Sequence, residues 1–230
     1  MTITDTAVAD LRTAVRGPVL LRGEPGFAEE VGGFNLLSPN DPDLVVGATS
    51  EAEVQIAVRW AVANGLTVHP QATGHGAYRT LDRGLLLKTN RLDSISVDAA
   101  NATWTMGSGL RWMDVLPHLH AAGLGAVTGS SKTVGVVGLT LGGGIGPVGR
   151  TLGMAGDWIR GYRVVTAEGE AIAVDSHSHP DLFWALRGGK VGLGIVTEVT
   201  FEAPRMPFIY AGGIFYSEDR IDQLLSLIHI

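Results

Sequence analysis

Two stretches decide how this chain is read: Gln71-Ala72-Thr73-Gly74-His75-Gly76-Ala77-Tyr78, and the run from Gly135 to Gly149 that holds Gly135, Gly138, Gly142, Gly143, Gly144, Gly146 and Gly149. The first sets one histidine between two glycines, just after an expected strand end. Glycine reaches positive φ without strain and lets a flat or charged ligand approach the main chain. Two such loops, one carrying a nucleophilic imidazole, point to a site for a large phosphate-bearing cofactor.

Composition narrows the field around those loops. The 230 residues suit one large domain or two small ones with an ample core. A 45% hydrophobic and 17% charged content belongs to a folded chain, not a disordered one. The net charge of -6 offers no footprint for nucleic acid or an anionic membrane. With no cysteine, disulfides, thiolate metal sites and a cysteine nucleophile are excluded. The N-terminus carries Asp5, Asp10, Arg12 and Arg16 and no apolar run, so neither a signal peptide nor a spanning helix is expected and a cytoplasmic location is the default. The 32 glycines are dispersed among apolar segments without a period, which favours tight turns around ligand-holding loops over a linker.

The pattern along the chain mixes helices and strands. Residues 1–16 read as a short surface helix, and Pro39, Asp41 and Pro42 as a loop. Ser50 and Glu53 form an expected capping box before a helical stripe of Val54, Ala57, Val58, Ala61 and Val62, closed by Asn64 and Gly65. Leu66 to His69 and Gly84 to Lys88 read as strands. Ser94 to Val97 with Thr103 to Met106 reads as a hairpin. Arg111 to Ala122 reads as a helix kinked at Pro117. A second hairpin, Tyr162 to Thr166 with Ala171 to Val174, turns at Glu168 and Gly169. Pro180 to Arg187 reads as a helix, Ile195 to Phe201 as a strand, and Phe208 to Tyr216 as the start of a new sheet. Without strict βαβ alternation, the class is α+β rather than doubly wound.

The glycine run matches G-x-G-x-x-G at Gly144, Gly146 and Gly149, with Glu168 near the acidic position. Pro147 inside the motif, and Gly153 and Gly156 in the helix that should follow, speak against a dinucleotide fold of that kind. Lys132 and Thr133 follow Ser131 rather than a glycine, so a Walker A loop fails. Successive backbone N–H groups in the run could still hold a pyrophosphate as an anion-binding nest, and a close-packed turn between sheets is the equal alternative. His75 is either a surface-turn histidine or a nucleophile. A free imidazole has a large neutral fraction at neutral pH, enough to attack the electrophilic 8-methyl carbon of a flavin. His177 and His179 lack a supporting ligand cluster, His118 and His120 share no helix face, and no metal site is expected.

Taken together, the motifs carry a resemblance. The order is the Ala72-Thr73-Gly74-His75-Gly76 loop, then Thr133-Val134-Gly135, Gly142-Gly143-Gly144 with Gly146, Gly153 with Asp157, the stretch from Asp181 to Gly189, and Gly194-Ile195-Val196-Thr197. From about Gly17 to Pro204 the chain resembles the FAD-binding domain of the berberine bridge enzyme-like flavoproteins of the vanillyl-alcohol oxidase superfamily. The resemblance implies a PCMH-type domain of two α+β subdomains with FAD between them. It implies a lead-in segment over residues 1–36, the FAD-binding domain over 37–206, and the start of a truncated substrate-binding domain over 207–230.

By the same resemblance His75 is the residue bonded to the flavin 8α carbon, flanked by Thr73, Gly74, Gly76 and Ala77. Thr133, Val134, Gly135, Gly138, Gly142, Gly143, Gly144 and Gly146 surround the pyrophosphate and ribityl chain, and Gly194, Ile195 and Val196 line the cofactor. Many members add a cysteine bonded to flavin C6. Here that position is Ser131, so a single tether is implied. Such a tether raises the flavin potential. A small residue at the position of Val134 accompanies oxidases, so oxidation of an alcohol, sugar or secondary metabolite by hydride transfer to flavin N5 is implied, with O2 as acceptor and peroxide as product. The sequence departs from the family at Gln71, at Thr73 and at Lys190-Val191-Gly192-Leu193, where a glycine-rich stretch is usual. The catalytic base is expected outside this chain, which reads as an N-terminal portion. A flavin-holding module without turnover and a nicotinamide-dependent dehydrogenase using Gly144 to Gly149 are the other readings.

Overall fold

A computed structural model describes residues 4–206, 209–210, 212–213 and 215–228. The first half carries α1 (Asp5–Ala14), β1 (Val19–Leu21), α2 (Phe27–Glu30), β2 (Leu44–Gly47), α3 (Glu51–Ala63), β3 (Val68–Gln71) and β4 (Leu85–Lys88). The second half carries β5 (Ile95–Asp98), β6 (Thr103–Gly107), α4 (Trp112–Ala121), α5 (Val136–Thr140), α6 (Gly149–Leu152), β7 (Ile159–Val165), β8 (Ala171–Asp175), α7 (Pro180–Leu186) and β9 (Ile195–Glu202), with α8 (Ile221–Ile228) after it. Each half builds one sheet. The first is ordered β1-β2-β4-β3 and the second β5-β6-β9-β7-β8. The fold is therefore α+β, as the pattern implied, in two subdomains, as the resemblance implied.

In the first sheet β4 lies centrally and pairs in parallel with both β2 and β3. Its run Leu85-Leu86-Leu87 is apolar without alternation because both faces are covered. Leu85 and Leu87 enter the core beneath α3, while Leu86 packs with Val45, Phe27 and Val31 on the opposite face. The lead-in segment belongs to this sheet: β1 pairs antiparallel with β2, Val19 opposite Val46. The second sheet is antiparallel throughout. Trp104 and Phe201, opposite each other on β6 and β9, stack at 4.3 Å in its core.

Several expectations need correction. The N-terminal helix is not a surface element, since Val8 and Leu11 are buried in the same core as α3. β1 and α2 had no clear sequence signal. Ser50 Oγ accepts from the Glu53 N–H at 3.3 Å, but the Glu53 carboxylate does not return to Ser50. It accepts from the Thr49 N–H, the Thr49 hydroxyl and the Arg16 N–H, so the box is only half formed. Val62 is exposed and leaves the buried stripe. β3 begins two residues later than expected, because Gly65 at φ +67° turns the chain and the Leu66 N–H bonds back to Ala61 O. No strand occurs among the described residues of 208–216; Phe208, Ala211 and Ile214 lie outside them.

α3 joins the two sheets. At its N-terminus the Glu51 carboxylate accepts from Arg163 at 2.6 and 3.2 Å and from the Thr197 hydroxyl at 2.7 Å, reaching β7 and β9 of the second sheet. Further along, Gln55 and Arg59 both donate to Gly169 O in the β7–β8 turn. Val165 and Ile195 pack into the first sheet's core. The Arg163 contact, opposed by burial and aided by Thr197, holds the Glu51 carboxyl below the usual carboxylate range. A lowered folded-state pKa contributes stability above the ordinary value of about 4.3 and loses it as pH falls through the folded-state value. Replacing Glu51 by Gln is expected to lower stability by about 1 kcal/mol at neutral pH, since the pair is partly exposed. The gap from the parent should close below about pH 4. Urea unfolding of both chains between pH 3 and pH 7 checks this; a gap independent of pH would disprove it.

Candidate functional site

A cleft of about 570 Å³ opens between the two sheets. Its walls come from α3 (Val58, Val62), the end of β3 into Ala72, α5 (Val137, Gly138), the end of β7, and residues 190–192 and 194–196. They are mostly apolar, as expected for a site holding a large flat ligand. His69 on this wall is pushed by burial toward the neutral form. Ser108 lines the cleft, and its buried hydroxyl has no partner among the described residues. A buried hydroxyl without a partner is costly, which singles this atom out as a hydrogen-bonding group on the cleft wall.

The His75 loop stands beside this cleft, held by residues 32–35 of the lead-in segment. The Phe34 N–H donates to Thr73 O at 2.8 Å, and the Asn35 side-chain amide donates to Ala77 O at 2.5 Å. Buried Lys88 donates to Gly32 O at 2.7 Å, and Gln71 donates to the same oxygen at 3.3 Å. Burial pushes the Lys88 ammonium pKa down, against the attraction of Glu30. Gly74 has φ +75°, and a Cβ there would stand 3.0 Å from Gly33 Cα. This close passage of two backbones explains why a glycine precedes the histidine.

The imidazole is fixed on two sides. Its ring stacks on Phe34 with centroids 3.5 Å apart and planes 14° from parallel. Nε2 lies 3.2 Å from the Thr133 hydroxyl, which lies 3.1 Å from the Ser131 hydroxyl. No side-chain hydrogen bond from the described residues reaches Nδ1. Phe34, Asn35 and Ser108 were not singled out in the sequence. A Gly32-Gly33 pair followed by an exposed aromatic residue was the available signal for the first two.

The glycine run divides into two parts. Gly135 abuts the first loop: a Cβ there would meet Thr73 at 3.5 Å and Ala72 at 3.9 Å. Gly138 lines the cleft, with open space where its Cβ would be. Gly142 lies beside the Lys190 side chain. Gly143 and Gly144, at φ +91° and +75°, turn away and accept at their carbonyls from the N–H groups of Gly156 and Ala155. Gly146 faces Thr128 O, 1.7 Å from where a Cβ would stand. These last three pack on protein rather than on the cleft, whereas Gly194, Ile195 and Val196 line it. Val134 is half-buried beside the first loop, its carbonyl accepting from the Trp112 N–H. Gly149 opens a four-residue helix with no strand leading into the run, which removes the nicotinamide-type fingerprint.

The FAD binding domain family matches residues 42–175. The chain belongs to this family. The resemblance to the berberine bridge enzyme-like flavoproteins therefore holds. Over 217 residues the chain is 31% identical to (R)-6-hydroxynicotine oxidase of Paenarthrobacter nicotinovorans, covering 94% of this chain and 47% of that protein. Its fold matches a glucooligosaccharide oxidase of Acremonium strictum, described as carrying 6-S-cysteinyl, 8α-N1-histidyl FAD, with TM-score 0.78 and 29% identity over 86% of this chain and 42% of that one. It also matches the berberine bridge enzyme-like protein 1 of Physcomitrella patens with TM-score 0.78 and 27% identity, over 88% and 44% of the two chains. The chain thus spans about half the length of the relatives it matches. Among the described residues no helix is long and apolar enough to cross a membrane, and no group of three His, Asp or Glu side chains could hold a metal ion.

The two kinds of glycine should respond differently to a methyl group. Gly146→Ala meets a backbone carbonyl and is expected to cost about 1–3 kcal/mol or more. Gly138→Ala meets nothing, sits in a short helix, and should leave stability unchanged or raise it by up to about 1 kcal/mol while obstructing the cleft. Thermal unfolding and FAD retention, measured on both variants, separate the effects. Equal destabilisation by the two would contradict the division.

Proposed function

We propose that this chain is the FAD-holding part of an FAD-linked oxidase, with the cofactor in the inter-sheet cleft and His75 as its single covalent tether. The observation that carries the reading is the fixed imidazole: stacked on Phe34, engaged at Nε2 by Thr133, and free at Nδ1. In the productive tautomer Nε2–H donates to the Thr133 hydroxyl oxygen, which leaves the Nδ1 lone pair as the nucleophile. Phe34 keeps the ring from rotating about its side-chain bonds. Ser131, where many family members have cysteine, provides no thiolate, so the tether is single.

FAD supplies a hydride acceptor when bound. Thr73, Gly74, Gly76 and Ala77 flank the tether, Gly135, Gly138 and Gly142 face the bound dinucleotide, and Gly194, Ile195 and Val196 cover it. Ser108 offers it a hydrogen bond. Gly143, Gly144 and Gly146 act by shaping the loop. The substrate is an alcohol, sugar or secondary metabolite, and O2 is the electron acceptor; half-buried Val134, small enough to leave a path for oxygen, supports the latter.

Acid precipitation of purified protein tests the tether. The unsubstituted chain should carry its yellow colour into the pellet, and His75→Ala should release it or never retain it. Acid-stable flavin in His75→Ala would disprove the assignment. Thr133→Val should still attach FAD, but about fivefold more slowly, as for loss of one hydrogen bond worth about 1 kcal/mol. The time course of acid-stable absorbance during reconstitution with FAD measures it.

A further inference from the structure

Resting on the FAD reading, we infer that Lys190 is the cation that binds the pyrophosphate of the dinucleotide. It stands in the stretch Lys190-Val191-Gly192-Leu193, where this chain departs from the glycine-rich pattern of its family. It is the one Lys, Arg, Asp or Glu among the described residues that line the cleft. No described carboxylate lies within ion-pair distance of it.

Its placement links the two loops that define the site. The stem runs alongside Gly142, with Cδ 3.7 Å from where a Cβ on that glycine would stand. The ammonium lies 3.1 Å from the corresponding position on Gly76, next to His75. Both glycines leave room that a larger residue would take from the lysine. The backbone of Lys190 is left-handed at φ +62°, a conformation costly for a residue with a side chain and one that collects at functional sites. Lys190 is exposed at the edge of the cleft, and an unpaired ammonium there is suited to a dianionic linker, which needs charge-assisted hydrogen bonds that the apolar walls do not offer.

The test uses the chain with His75→Ala, so that flavin binding is reversible, and adds Lys190→Met or Lys190→Arg. FAD and riboflavin, which lacks the pyrophosphate, are titrated by flavin fluorescence at low and high salt. Lys190→Met should weaken FAD by about tenfold or more, leave riboflavin unchanged and flatten the salt dependence, while Lys190→Arg restores most of the FAD affinity. Unchanged FAD affinity in Lys190→Met overturns the assignment and leaves the FAD reading intact. An equal loss for riboflavin overturns it too, because the ammonium would then serve the ring. If neither the His75→Ala chain nor the unsubstituted chain takes up flavin, the FAD reading falls and this inference with it.

Discussion

The grip of α3 on the second sheet is the constraint on which the site depends. Glu51 holds Arg163 and Thr197 at one end of the helix, and Gln55 and Arg59 share the Gly169 carbonyl at another level. These polar contacts fix the rotation of one sheet against the other, while Val165 and Ile195 supply apolar burial across the same joint. The cleft is the space left beside that joint. Its width is set by where α3 meets the β7–β8 turn, so residues far from any ligand determine whether a flat cofactor fits.

Within that frame, the histidine loop is shaped by a segment about forty residues earlier in the chain. A Cβ on Gly74 would stand 3.0 Å from Gly33 Cα, and one on Gly33 would meet the Gln71 side-chain amide at 2.8 Å. Phe34 then reaches over the imidazole, and Asn35 ties down the far side of the loop. Lys88, buried and partly deprived of hydration, anchors the bracing segment through Gly32. A nucleophile that must meet one carbon atom gains from losing freedom in advance. On the proposed tether reading, stacking on Phe34 restrains the ring and Thr133 engages Nε2, leaving Nδ1 as the attacking atom.

The electrostatics of the cleft follow from its composition. Apolar walls and a His69 pushed toward neutrality leave few groups to meet a charged cofactor. On the FAD reading, the buried Ser108 hydroxyl faces little competition from water, whereas Lys190, exposed at the edge of the cleft, acts through its charge.

How much of this was legible in the sequence depends on whether the determining contact was local. Gly84 to Lys88 and Ile195 to Phe201 read as strands because burial demands apolar runs. Ser50 announced α3, and Gly169 its hairpin turn, because caps and turns are decided within a few residues. His75 and the glycine run were visible for the same reason, and several motifs in order were enough to name the family. The sequence could not say that Gly138 faces the cleft while Gly146 faces Thr128 O, since both are simply glycines until the chain brings a neighbour to one of them. Nor could it show Phe34 stacked on His75 or Ser108 without a partner. Local propensity determines which elements form. Which side chains meet is decided by long-range packing, where α3 locks one sheet against the other and leaves the cleft between them.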